Sequence, residues 1–523
     1  MTQVQIKNPI IPGFNPDPNI LKVADVYYIA VSSFEWMPGI RIYQSHDLVN
    51  WEFLTDILTT QIDLRGNPQG ASIWAPQISY DQGTFYLTYT DVKNAHGPFK
   101  DCHNYLVTAP TITGPWSDSI YLNSSGFDPA LFHDPNGKKW FVNEIWDYRL
   151  TTSNKSAGVV LQEYDLQQQK LVGKVYKIFN GTALAKTEAP QIYLHNSYYY
   201  LITAEGGTGK NHSVTVCRSK TITGPYVLAP NSPILTASDK PNSPLQCTGH
   251  ASLVESNTGH WYMVFLTCRI LDHDYHILGR ETAIEEVYWT KDGWLESTVD
   301  GNGPDLTPTI EISETVQQVL KLDFEDNFDQ EQLTPGWNFL RVMPDSSWLQ
   351  LRETEKQLRI YGGESPASTF NHHLVAIRQS DFNYIAETEL NFTPKTFNEF
   401  AGIMLFLTNE KFIYLYVTYD EQLGTVLRLM KYDQDQFQLE PQKVTINKTP
   451  LQLRIVGHGL SCAMYYKNPN EQDWHVFKEA IDTRFLSGGF TGNFIGISVT
   501  NLNQTNASYA DFDYFNYRVL SDK

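Results

Sequence analysis

A motif that returns five times in the N-terminal part of the chain constrains its fold most. DPNI (17–20) is followed by VYYIAVSS, APQI (75–78) by TFYLTYTD and DPAL (128–131) by KKWFVNEIWD. APQI recurs at 189–192 before YYYLITAEGG, and HASL (250–253) precedes HWYMVFLTC. The anchors Ile20, Ile78, Leu131, Ile192 and Leu253 therefore recur roughly every 60 residues. Each copy reads as a short strand, a Gly/Asn/Asp turn and an aromatic strand. The turns DQG, DPNG, HNS and NTG carry hairpin chemistry. Two outer strands follow most copies, as in IRIYQSHDLVNWEFL and SVTVCRSKTITGPYVL. Five such four-stranded units predict a five-bladed β-propeller whose first strands line the central axis.

One slot recurs at the start of that inner strand: Asp17, Ala75, Asp128, Ala189 and His250, with Glu188 one place before its slot. Carboxyl groups from blades one, three and four thus converge on one mouth of the channel. Like charges brought together repel, so three acids at one opening indicate chemistry rather than turn capping. Asp17 lies between Pro16 and Pro18. Proline fixes its own φ and pushes the preceding residue towards extended geometry, so Asn15 and Asp17 are expected to be stiff and extended. Two other acidic motifs read as structure. Asp134 belongs to the hairpin turn DPNG, and Asp272, His273, Asp274 and His276 form a polar loop rather than a metal site.

Composition narrows the partners. The chain is 13% aromatic, which favours strands, and its net charge is −19 with no basic run. Nucleic acid and anionic membrane are therefore poor partners, whereas a neutral substrate is indifferent to the charge. No stretch approaches the roughly 20 apolar residues of a membrane span, and the first residues have no signal-peptide pattern. The cysteines Cys102, Cys217, Cys247, Cys268 and Cys462 are scattered and odd in number. They read as reduced thiols in a cytoplasmic protein.

Past residue 310 the repeat stops and period-two alternation begins. QLRIYGG, YIAETELNF, FAGIMLFLT, FIYLYVTYD, LQLRIVGH, FIGISVTNL and DFDYFNYRV predict the strands of a β-sandwich. The stretches LDFEDNFD and ADFDYFNYRV are expected to pair as neighbours. The expected organisation is all-β: a propeller over 1–308, a connector over 309–320 and a sandwich over 321–523.

With these stretches in view, the chain resembles the two-domain β-xylosidases of glycoside hydrolase family 43. The resemblance is carried by GFNPDPNI, SSFEWMPGIRIYQSHDLVNW, WAPQI, SGFDPALFHD, TEAPQIY, AEGGTG, TGHASLVE, LGRETAIEEV and FTGNFIGISV. It implies a five-bladed propeller followed by a lectin-like sandwich. It also implies that Asp17 is the general base, Glu188 the general acid, and Asp128 the residue that orients the acid and raises its pKa. Arg280 corresponds to a substrate-binding arginine. Phe34, Trp74 and Trp146 correspond to pocket aromatics. His250 corresponds to a histidine at the channel axis that in some members touches a water or a calcium ion. Catalysis by this route requires no metal or cofactor. The implied activity is exo-acting, inverting hydrolysis of short xylo-oligosaccharides, releasing xylose. The alternatives are an α-L-arabinofuranosidase or a bifunctional xylosidase/arabinofuranosidase, or a carbohydrate-binding protein with a dead site. The resemblance further suggests a homodimer or homotetramer. In GGFTGNFIGI, Phe494 is the expected aromatic wall of the pocket, with packing inside the sandwich as the alternative.

Overall fold

The computed structural model describes residues 2–520 apart from 125, 353 and 504–507, and these contain strands but no helix. Five antiparallel meander sheets follow one another along the chain, the fourth with an extra strand, Leu235–Thr236, paired to its third strand. Their inner strands are Asn19–Val23, Ser72–Asp81, Ala130–His133, Glu188–His195 and Leu245–Glu255. The five anchors from the sequence repeat all lie on these strands. The hairpins close where the turn signals stand. Gln82 and Gly83 both have positive φ, as do Asn196 and Ser197, matching the right-handed twist of the flanking strands.

Side chains on the inner strands stitch each blade to the next. Asn19 Oδ1 accepts from Ile78 N at 2.9 Å, and Gln77 Oε1 accepts from Leu131 N at 3.0 Å. The ring closes in the same way, with Ser252 Oγ accepting from Ile20 N at 2.8 Å. Aromatic side chains seal the seam around blades one and five. Tyr27 and Tyr262 are almost fully buried, and their hydroxyls accept from Asn257 N and Glu311 N, each at 2.8 Å. Within the expected connector, Thr309–Ile312 forms a strand paired with Thr2–Gln5, so both ends of the propeller segment meet beside blade five.

The second half forms two large sheets packed face to face. All seven alternating runs read from the sequence are strands of these sheets, and Phe324–Asp326 pairs with Tyr509–Val519 as expected. The propeller enters the sandwich directly. Trp36–Met37, from a loop of blade one, adds an edge strand beside Asn338–Leu340. Trp36 then stacks on Phe494, with ring centroids 3.7 Å apart and planes 16° apart. Phe14 packs on the same ring from the propeller side at 5.8 Å. Phe494 is fully buried at this joint, as the first residue of a central strand, Phe494–Asn501. Phe494→Ala is therefore expected to cost about 3–5 kcal/mol of stability, read from denaturant unfolding.

Candidate active site

All five slot residues have left-handed backbone: Asp17 (φ 55), Ala75 (43), Asp128 (54), Ala189 (53) and His250 (50). This corrects the extended geometry expected for Asp17. The flanking prolines do stiffen it, but the blade entrance imposes a conformation that non-glycine residues seldom adopt, at a cost of about 1–3 kcal/mol each. Asp17, Asp128, Glu188 and His250 all border one cavity of about 370 Å³.

Asp17 is tightly held. Arg280 Nη1 donates to its Oδ1 at 2.9 Å and Ser32 Oγ to its Oδ2 at 2.7 Å, while His250 Nδ1 lies 3.4 Å from Oδ1. Burial would push this carboxyl up, but Arg280, then His250 and Ser32, outweigh it and hold Asp17 below the usual aspartate range. Glu188 is the opposite case. Burial, and then the charge of Asp17, push it up to about 7, against the pull of Lys100, Arg280 and Lys186. Near neutral pH the cavity thus holds one ionised carboxylate and one carboxyl poised to carry a proton. Asp128 Oδ2 accepts from Ala189 N at 3.0 Å, which anchors the backbone next to Glu188. Asp128 is itself pushed well up by burial, Glu188 and Asp17.

Arg280 is the junction of the site. Its Nε donates to Phe490 O at 3.0 Å, and Nη2 is buried without a protein partner. Phe34 and Trp74 line the cavity with Phe490, whose ring stacks on Phe34 at 5.9 Å and 17°. Trp146 lines the cavity as well.

The sequence model of Glycosyl hydrolases family 43 matches residues 6–295, and that of the beta-xylosidase C-terminal concanavalin A-like domain matches residues 325–518. The chain belongs to glycoside hydrolase family 43. A beta-xylosidase of Bacillus subtilis is 40% identical over 544 residues, covering 98% of this chain and 100% of the relative. A xylosidase/arabinosidase of Humicola insolens is 41% identical, covering 99% of this chain and 98% of the relative. The crystal structure of a xylan beta-1,4-xylosidase from Bacillus halodurans superposes with a TM-score of 0.95 at 44% identity, covering 98% of this chain and 100% of that one. The protein is thus a family 43 glycoside hydrolase, with a five-bladed propeller and a concanavalin A-like sandwich.

Phe494 does not border the cavity, which corrects the expectation that it forms the wall. The ring that does is Phe490, four residues earlier. FIGISV is a strand and turns its first residue inward, whereas Phe490 stands among Gly488, Gly489 and Gly492, where a loop can approach the propeller. A Cβ on Gly492 would lie 2.2 Å from Leu278 O, so only glycine permits that approach. Sequence reasoning also missed Lys100, whose ammonium lies 4.6 Å from the centre of the Trp146 ring and 5.0 Å from that of Trp74. No periodicity marks it, because it lies at the end of an irregular loop. His212, which faces Glu188 from blade four, was missed as well.

Asp134 sits in its hairpin turn, accepting from Gly137 N at its carbonyl, and Asp274 pairs with Lys210. Among the described residues no group of three His, Cys, Asp or Glu side chains is placed to hold a metal. Among the described residues, the carboxylate paired with His250 is that of Asp17, which is already bound by Arg280; this does not fit a protein-built calcium site of about six to eight oxygens.

The raised Glu188 has a consequence for stability. Its pKa is about 7 in the folded protein against 4.5 for the free side chain. Between these values the unfolded chain loses this proton while the folded one keeps it, so stability falls with rising pH and levels off above about 7. Glu188→Gln should remove that loss, raising Tm at pH 8 and leaving it nearly unchanged at pH 4. For the pocket wall, Phe490→Ala should raise KM with Tm nearly intact, as measured by steady-state kinetics and thermal melts.

Proposed function

We propose that the protein is an exo-acting β-1,4-xylosidase that releases xylose from the non-reducing ends of short xylo-oligosaccharides with inversion. The observation that carries this reading is the pairing of an ionised Asp17 with a proton-bearing Glu188 in a cavity walled by the sandwich. The wall formed by Phe490, Phe34 and Arg280 suits one terminal sugar, because a chain cannot continue through it. The full-length relatives named as xylosidases support the choice of sugar. The name xylosidase/arabinosidase on one of them supports α-L-arabinofuranosides as a second substrate class.

Each group then has one role. Arg280 Nη2, unpaired in the protein, donates to a hydroxyl of the terminal xylose, and aromatic faces cover the apolar side of the ring. Asp17 takes a proton from a water that attacks the anomeric carbon opposite the leaving group. The glycosidic bond breaks as Glu188 gives its proton to the departing oxygen. Asp128 orients the acid through Ala189 N. Release of sugar leaves Asp17 protonated and Glu188 ionised, and solvent exchange resets both. No ion enters any step. The buried, unpaired cysteines support a reducing, cytoplasmic setting.

Glu188→Ala should lose far more activity on xylobiose than on an aryl xyloside whose leaving group needs little protonation. Asp17→Ala should lose about 10²–10⁴ in rate on both. Equal losses for Glu188→Ala on both substrates would remove it as the acid. NMR of the first product from xylobiose should show α-xylose at the newly released anomeric centre, and early β-xylose would reject the base role of Asp17.

A further inference from the structure

His212 stands at the entrance to the third strand of blade four, with its ring fully buried. Its Nδ1 lies 3.2 Å from the carbonyl oxygen of Cys247. A carbonyl only accepts, so Nδ1 carries the ring proton. Burial, opposed only in part by the Cys247 bond, pushes the imidazole down to about 3, so it holds no second proton near neutral pH. Nε2 is therefore a bare acceptor. It lies 3.7 Å from Glu188 Oε1, and neither atom has a hydrogen-bond partner in the protein. Opposite the ring is Gly249, where a Cβ would come within 2.5 Å of Nε2, so the ring fits there only because that residue is glycine.

Two acceptors facing each other in a water-poor site are stable only if one carries a hydrogen. An ionised Glu188 turns a negative oxygen towards the lone pair of Nε2, whereas the carboxylic acid can turn an O–H towards it. We propose that His212 is the positioning residue of the acid: its bare Nε2 disfavours the carboxylate and keeps Glu188 protonated between turnovers. This rests on the reading of Glu188 as the general acid. The proton itself arrives from solvent through the open cavity and leaves to the glycosidic oxygen. His212 neither gains nor gives one. Among the described residues, the other charged and titratable groups around Glu188 and His212 are Asp17, Asp128, Glu144, Lys100, Lys186, His250 and Arg280, and all remain in the His212 and Gly249 variants below.

His212→Asn retains an amide donor for Cys247 O and leaves the Nε2 position empty. The basic limb of kcat/KM for xylobiose should fall by about one unit, with the acidic limb in place. That shift corresponds to a loss of about tenfold at pH 8 on xylobiose and far less at pH 5. The loss at pH 8 should be much smaller on an aryl xyloside with a good leaving group. Gly249→Ala, which drives the ring from its place, should move the same limb in the same direction and serves if His212→Asn does not fold. An unmoved basic limb in a folded variant, or equal losses on both substrates with no shift, would overturn the proposal and leave His212 as packing. Glu188→Ala separates the two ideas. If it keeps the split between substrates while His212→Asn shows no shift, only the role of His212 fails. If Glu188→Ala loses the split, the acid assignment fails and the proposal with it.

Discussion

The Asp17–Arg280 ion pair is the interaction on which the site depends. Both partners are buried, and at 2.9 Å the pair joins the inner strand of blade one to the start of the third strand in blade five. A buried charge without a partner would be strongly unfavourable, and the Arg280 guanidinium is the main influence that holds Asp17 below the usual aspartate range. The pair closes the propeller ring electrostatically where Ile20 N closes it by donating to the Ser252 hydroxyl. Because Arg280 Nε also binds Phe490 O, the same guanidinium sets the position of the sandwich loop. One side chain thus fixes the base, the ring closure and the pocket wall.

The charge on Asp17 also orders the rest of the cluster. With Asp17 already neutralised in part by Arg280, a second anion in the same water-poor cavity meets burial and repulsion together. Glu188 and Asp128 are both raised for these reasons, in contrast to Asp17. Three chemically similar carboxyls therefore take different protonation states through their surroundings alone. The strained left-handed backbone at Asp17 and Asp128 belongs to the same design, since it holds those two carboxyls rigidly at the blade entrances.

The sandwich is part of the enzyme pocket rather than an appendage. Three of its contacts with the propeller bear on the pocket: an edge strand at Trp36–Met37, an aromatic stack of Trp36 on Phe494, and the loop that carries Phe490. The first two are rigid packing, and they hold the third at a fixed height over the channel mouth. Glu35 adds a polar tie. It is buried beside Trp36, its carboxylate accepts from Gly70 N, and Arg341 of the sandwich donates its backbone N–H to the Glu35 carbonyl at 2.9 Å.

The repeat determined the blade count, the inner strands and the convergence of Asp17, Asp128 and Glu188, because a fixed spacing of strand and turn signals has few packed solutions. Alternation at period two likewise determined every sandwich strand named from it, since one buried face requires that pattern. Tertiary structure decided what depends on groups distant in the chain. The φ of Asp17 follows from the blade entrance, although its neighbouring prolines suggested an extended chain. The choice of Phe490 over Phe494 follows from which end of one short segment meets Leu278 and which meets Trp36. The contact between His212 and Glu188 lies across two strands of one blade, with Cys247 of the next blade selecting the tautomer, and no local pattern records a partnership of that kind. The sequence alone specified which acids meet, while their ionisation was decided by burial and by the placement of Arg280, which only the folded chain brings to Asp17.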